Sequence, residues 1–335
     1  MTEGGDFRAL GLAVGHATDA EGATGLTVVR GVDAPLRAGA VVFGRASGTR
    51  ELHTLATDHL VDRIDAVMLT GGSAFGLDAA AGVMRWMEER ERGFAVPGGV
   101  VPIVPAAVIF DLAPLGRFDA RPTAALAYDA CEHAVSSGID EGSVGVGTGA
   151  TVGKIAGPTF AMKGGFGCAA ERGARWCVGA FAVVNALGDV RDAGGAIIAG
   201  ARVAPGGSER PWRFVDAARR LAAGGNGSAA TARLRSGPAP NTTLCVVATD
   251  APLGRVELTQ LARAAGAALF RRITPAGTSA DGDVVFALAP GSAPPAPIGA
   301  ATIEIEALSV DVLERALERA VRLARGRDGI PGLAD

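Results

Sequence analysis

Short apolar runs punctuated by glycine alternate along the chain with longer stretches of helical spacing. Residues 12–30 read as a strand, a polar turn and a second strand ending at Val29, and residues 40–44 as a third. Residues 67–73 form a strand that runs into a Gly71-Gly72 turn. Behind it, residues 74–92 place Leu77, Ala80, Ala81, Met84 and Met87 at helical spacing, with Ser73 expected as the N-cap. Residues 100–112 are apolar and extended, but Pro102 and Pro105 argue against a central strand position for their early part. Residues 121–135 read as a helix, and residues 177–184 as a strand that ends on Asn185.

The second half is organised differently. Residues 204–240 are enriched in Gly, Ala, Ser, Arg and Pro, and apart from a helical patch around Phe214 to Leu221 they have the composition of a flexible linker. That linker stops at Asn241, where residues 242–249 begin a strongly β-prone run; residues 244–247 are too apolar and too short for anything but a buried strand. Residues 256–273 are amphipathic, Asp281-Gly282-Asp283 precedes a strand over 284–289, and residues 310–324 form a clean final helix. No repeat is present. The pattern predicts α/β or α+β layers in one domain over 1–335, with helices outside stacked sheets.

Composition narrows the function classes. With 335 residues, 48% of them hydrophobic, the chain can bury a large core. A net charge of −3 offers no basic footprint, so nucleic acid is not an expected partner. The first residues lack the charged and apolar regions of a signal peptide, and the longest apolar run is too short for a membrane span. The cytoplasm is the expected location. Cys131, Cys168, Cys177 and Cys245 make no C-x-x-C pair, and the four histidines make no zinc motif, so neither a metal nor a cofactor is expected.

Candidate chemistry sits at the joints. Thr242 stands where the linker meets the core. If the chain is cut just before it, its α-amine titrates near about 7.7–8.0 and can serve as base for its own hydroxyl. Asn-Thr-Thr is equally an ordinary loop-to-strand join. Residues 142–154 hold five glycines and end on Lys154, which is either a cation set against a reaction centre or a solvated loop residue. Asn185 fits turn chemistry or an oxyanion donor. The Gly71-Gly72-Ser73 turn matches no nucleotide loop, and Phe75 stands where a nucleophile elbow needs its second glycine. Its glycines would still let a substrate approach the backbone closely.

Taken in order, these landmarks resemble one family over almost the whole chain. Val14-Gly15-His16, Gly22-Ala23-Thr24-Gly25, residues 69–77, residues 147–154, Met162-Lys163-Gly164-Gly165, Val183-Val184-Asn185-Ala186, Asn241-Thr242-Thr243 with residues 248–253, and Asp281-Gly282-Asp283 are similar to those of the DmpA-type (L-aminopeptidase D-amidase/D-esterase) self-cleaving N-terminal-nucleophile hydrolases. The resemblance implies an αββα sandwich, shared with the ornithine acetyltransferase type. It also implies a cut between Asn241 and Thr242, giving an α chain (1–241) and a β chain (242–335), and a homo-oligomer such as a tetramer of α/β heterodimers.

By the same resemblance Thr242 is the nucleophile, Lys154 and Asn185 orient it and stabilise the oxyanion, and Asp281 and Asp283 complete the network. Asp-Gly-Asp could otherwise be a hairpin turn. Val108, Phe110, Gly72 and Ser73 are expected to line the substrate pocket. The aminopeptidase members carry a Glu and a Tyr where Val108 and Phe110 stand, leaving Asp111 as the nearest carboxylate. The apolar version is closer to the NylC (6-aminohexanoate-oligomer hydrolase)-like branch. The implied activity is hydrolysis of amides in small peptides or peptide-like oligomers. The alternatives are a non-hydrolytic binding or assembly protein with this fold, or an acyltransferase like the ornithine acetyltransferases.

Overall fold

Two five-stranded sheets lie face to face between two pairs of helices, giving four layers in the order α, β, β, α. The computed structural model describes residues 5–204, 210–223, 241–292 and 294–335. The first sheet has the order Leu12–Asp19, Thr24–Gly31, Ala66–Thr70, Ala106–Val108, Thr49–Arg50. The second has the order Gly165–Arg172, Cys177–Asn185, Thr242–Thr249, Val284–Pro290, Leu36–Val42.

Strand alternation builds the layers, because successive side chains point to opposite faces. In Thr242–Thr249, Leu244, Val246 and Ala248 point between the sheets, into a core shared with Val67 and Leu69 of the first sheet and Ile109 just past the end of its strand Ala106–Val108. Cys245 and Val247 point the other way, onto Leu258, Leu261, Ala265, Val312, Leu313 and Leu317 of the helices Arg255–Arg272 and Ala301–Arg322. On the far side, Leu26, Val28 and Met68 pack against the helices Ala80–Glu88 and Ala124–Glu132 through Ala80, Val83, Met87, Ala127 and Ala130. This buried strand, apolar on both faces, is what the continuous run 244–247 predicts.

Several expectations shift in detail. The last helix begins at Ala301 rather than near Val310, because Ala301, Ile305 and Ser309 extend the buried stripe by two more turns. The helix expected over 74–92 is a tight 3-10 segment, Ser73–Ala79, followed by Ala80–Glu88. Ser73 is not its N-cap. Gly72 takes that position at φ 77° and makes no side-chain cap, while Asp111 from a neighbouring segment accepts the Gly72 N–H at 2.7 Å. Of the linker expected over 204–240, residues 205–209 and 224–240 lie outside the described residues, and Ala217–Ala222 forms the short helix.

Candidate active site

Three strand ends converge at one edge of the second sheet. Cys177–Asn185 runs antiparallel to Thr242–Thr249, which pairs Asn185 with Thr242. Thr242–Thr249 runs parallel to Val284–Pro290, with Leu244 opposite Val284. A strand that ends, a strand that begins and a second that begins therefore share this edge. The pairing continues outward, Asn241 bridging Asp281 in the parallel sense. Asp281-Gly282-Asp283 is thus the lead-in to a parallel strand and not a hairpin turn.

Thr242 is 5% exposed, and its Oγ1 donates to the Asn241 carbonyl oxygen at 2.6 Å. The same oxygen accepts the Gly282 N–H at 2.9 Å. The fit around the hydroxyl is close, since a Cβ on Gly282 would lie 2.7 Å from Thr242 Oγ1. Both polar atoms of the buried Asn241 side chain lack a hydrogen-bond partner among the described residues. An unsatisfied buried amide costs on the order of 1–3 kcal/mol for each such group.

Lys154 opens a 3-10 turn after the strand Thr151–Val152. Its Nζ donates to the Asn185 backbone oxygen and to Asn185 Oδ1, each at 2.9 Å. Asn185 is held from three sides, its Oδ1 also accepting Thr151 N–H at 3.1 Å while its Nδ2 donates to the Phe110 carbonyl at 3.1 Å. Burial lowers Lys154 to about 7, against the opposing pull of Asp281, Asp111 and Asp283. Asp283 accepts Thr243 N–H at 2.6 Å and Gly277 N–H at 2.8 Å, and burial followed by the charge of Asp281 raises its carboxyl to about 7. Asp281 accepts both the N–H and the hydroxyl of Thr278, and burial raises it as well.

Thr242, Lys154, Asn185, Asp281 and Asp283 are therefore brought together from four separate places in the chain. The expected pocket residues are less uniform. Phe110 contributes its carbonyl to the site, Val108 is 5% exposed and reaches the position a Cβ on Gly48 would take, and Gly72 and Ser73 form a turn held by Asp111 and Ile109. Two residues were not assigned roles in advance. Asp111 is fully buried, and Lys163 is 1% exposed with its Nζ on the carbonyls of Gly147, Thr148 and Ala150. The signal for Lys163 was in the composition: the sequence contains two lysines, and they are Lys154 and Lys163.

Residues 9–332 match the family model described as Peptidase family S58. The chain belongs to that family. It is 41% identical to an uncharacterized aminopeptidase of Mycobacterium leprae, over 96% of this chain and 91% of that one. It is 31% identical to a 6-aminohexanoate-oligomer endohydrolase of a Kocuria species, over 83% of this chain and 72% of that one. The L-aminopeptidase D-Ala-esterase/amidase of Ochrobactrum anthropi, a solved structure described as a variant of the Ntn hydrolase fold, has the same architecture. It superposes with a TM-score of 0.68 at 21% identity, covering 100% of this chain and 93% of that one. This S58 member is thus a DmpA-type, NylC-like hydrolase of amide bonds with an Ntn-type αββα fold. Among its described residues no helix is long and apolar enough to cross a membrane.

Proposed function

We propose that the chain cuts itself between Asn241 and Thr242 and then hydrolyses amide bonds of small peptides or peptide-like oligomers through an acyl-enzyme on Thr242. The observation that carries this reading is the 2.6 Å contact between Thr242 Oγ1 and the carbonyl of the bond that precedes it. Thr242 Oγ attacks the Asn241 carbonyl carbon and forms a C–O bond, and its proton passes to a base of the Lys154 cluster. The Gly282 N–H, already on that carbonyl oxygen, stabilises the charge that develops there. The C–N bond then breaks and the Thr242 nitrogen takes up a proton. Water hydrolyses the resulting ester, leaving an Asn241 carboxylate and a Thr242 with free amine and free hydroxyl. Release of the unsatisfied Asn241 amide favours the cut state.

In the mature enzyme the same chemistry runs on a substrate. The Thr242 amine or the neutral Lys154 amine takes the hydroxyl proton, Oγ acylates, the substrate amine leaves protonated, and water releases the acid. Asn185 holds Lys154, and Asp281 and Asp283 hold the strand lead-in. Val108 and Phe110 give the pocket an apolar wall. We further place the enzyme in the cytoplasm as a homo-oligomer of cut chains. The exposed apolar residues Phe94, Val96 and Val101 of the hairpin Phe94–Val96 and Gly99–Val101 support self-association.

Intact-mass analysis tests the reading directly. Freshly purified active protein should give two chains, ending at Asn241 and beginning at Thr242, and Thr242→Ala should give one uncut and inactive chain. An active preparation in which the polypeptide is whole overturns it. Rates on 6-aminohexanoate oligomers, β-amino acid amides and p-nitroanilides, with and without added amine acceptor, separate hydrolysis from acyl transfer.

A further inference from the structure

We infer that Asp111 is a positioning residue for the amide hydrolysis: its buried carboxylate locks the 147–151 segment that carries Lys154 to Asn185, and ties it to the Gly71–Ser73 turn. The carboxylate accepts Thr24 Oγ1–H at 2.6 Å through Oδ2 and Gly72 N–H at 2.7 Å through Oδ1. It also packs flat on Gly149, where an added Cβ would fall 2.6 Å from Asp111 Cβ and 2.9 Å from its Oδ2. On either side of Gly149, the carbonyls of Thr148 and Ala150 are taken by Lys163 Nζ at 2.7 and 2.8 Å. Gly149 is thereby pinned between a carboxylate and an ammonium. The next residue after this clamp, Thr151, donates its N–H to Asn185 Oδ1, and three residues further on Lys154 reaches the same amide. Phe110, adjacent to Asp111, supplies the carbonyl that orients Asn185 Nδ2.

The two lysines of the chain have different tasks in this arrangement. Lys163 meets three carbonyls with the three donors of an ammonium, a compact site that a planar guanidinium does not fit. Lys154 donates to both the backbone and the side-chain oxygen of Asn185 and lies within the field of Asp281, Asp111 and Asp283, so its charge state responds to each of them. Asp111 is the carboxylate whose field reaches both lysines. Loss of its negative charge makes the Lys154 ammonium less favourable and moves its titration to lower pH.

The activity part of this inference rests on the role given to Lys154 above, whereas the titration part is read in the uncut Thr242→Ala chain and does not. With two lysines, ¹⁵N-lysine labelling of Thr242→Ala gives two side-chain signals, assigned by Lys163→Met. Adding Asp111→Asn should lower the Lys154 midpoint by about 0.5–1 pH unit. In the wild-type background Asp111→Asn should reduce kcat about tenfold or more, change KM less, and displace the acid limb of the rate profile in the same direction. If Asp111→Asn does not fold, Thr24→Val, which removes one donor from the carboxylate, should move Lys154 the same way by a smaller amount. An unmoved Lys154 midpoint together with an unmoved acid limb, in whichever of these variants folds, overturns the inference. Activity retained in Thr242→Ala would instead defeat the nucleophile assignment and leave the titration result standing.

Discussion

Asn185 and Thr242 are cross-strand partners at the edge of the second sheet, and the Asn185 side chain carries the Lys154 amine at 2.9 Å. Thr242→Ala removes the hydroxyl and leaves the Asn185–Lys154 contact in place. Expected outcomes are an uncut chain by mass spectrometry and near-normal thermal stability, because one small side chain at a strand end is lost. Thr242→Ser, which keeps the hydroxyl, should still cut.

Lys154→Arg tests whether the amine must give up a proton. A guanidinium stays charged at any working pH and so cannot act as the base. Turnover should fall by roughly 10²–10⁴, the usual worth of a general base. Lys154→Arg with unchanged kcat would reduce Lys154 to a fixed positive charge.

The pH profile follows from the same groups. Burial brings Lys154 down to about 7 and Asp283 up to about 7. With the neutral Lys154 amine as the proposed base, the competent form is present above its pKa. kcat/KM should therefore rise as pH increases through about 7 and then level off. Rates that fall over that interval would assign the proton the opposite way.

Much of this was legible in the sequence, and what was not has physical reasons. The layers were readable because residues 244–247 are apolar on both faces and the helix 310–324 has one clean stripe. The lead-in Asp281-Gly282-Asp283 was not resolved from its residues, since the same triplet serves a hairpin, and only parallel pairing of Asn241 with Asp281 decides between them. The Lys154–Asn185 contact spans 31 residues of chain and no local pattern encodes it. Ser73 looked like an N-cap because a hydroxyl preceded a helical stripe; Gly72 holds that position instead, and its own N–H is taken by Asp111, distant in sequence. Asp111 and Lys163 act through burial and packing, which a single sequence does not display.

His16 gives a stability prediction independent of the active site. Its Nδ1 sits 2.8 Å from Thr27 Oγ1, and its buried Nε2 has no partner among the described residues. Burial lowers the ring to about 4, with Asp140 opposing. A group whose folded pKa lies below its unfolded value of 6.5 binds fewer protons when folded, so its contribution is present above about 6.5 and is lost as pH falls toward about 4. The loss is up to about 3 kcal/mol. Thermal unfolding of His16→Gln against wild type should show a stability gap that narrows on acidification from about pH 6.5 to about pH 4. A gap that is constant with pH would mean the ring is not held neutral.

Gly282→Ala separates the geometry of the proposed self-cleavage from the chemistry of its groups. The new methyl would lie 2.7 Å from Thr242 Oγ1 and 2.7 Å from the Ala46 backbone oxygen, both inside van der Waals contact. Ala46 cannot withdraw easily, because its N–H is bonded to the Asp281 carbonyl at 2.9 Å. The hydroxyl must therefore turn away from the Asn241 carbonyl, or the Gly282 N–H must leave it. Either movement breaks the alignment of nucleophile, carbonyl and donor, and a displacement of about 1 Å costs about 10²-fold in rate. Overpacking should lower stability by about 1–3 kcal/mol, a smaller effect that unfolding curves will register separately. Time courses of freshly translated chain on a gel should show a slow or stalled cut in Gly282→Ala with every reactive side chain still present. Cutting at the wild-type rate in a folded Gly282→Ala chain would show that Thr242 attacks from a position other than the one it occupies here.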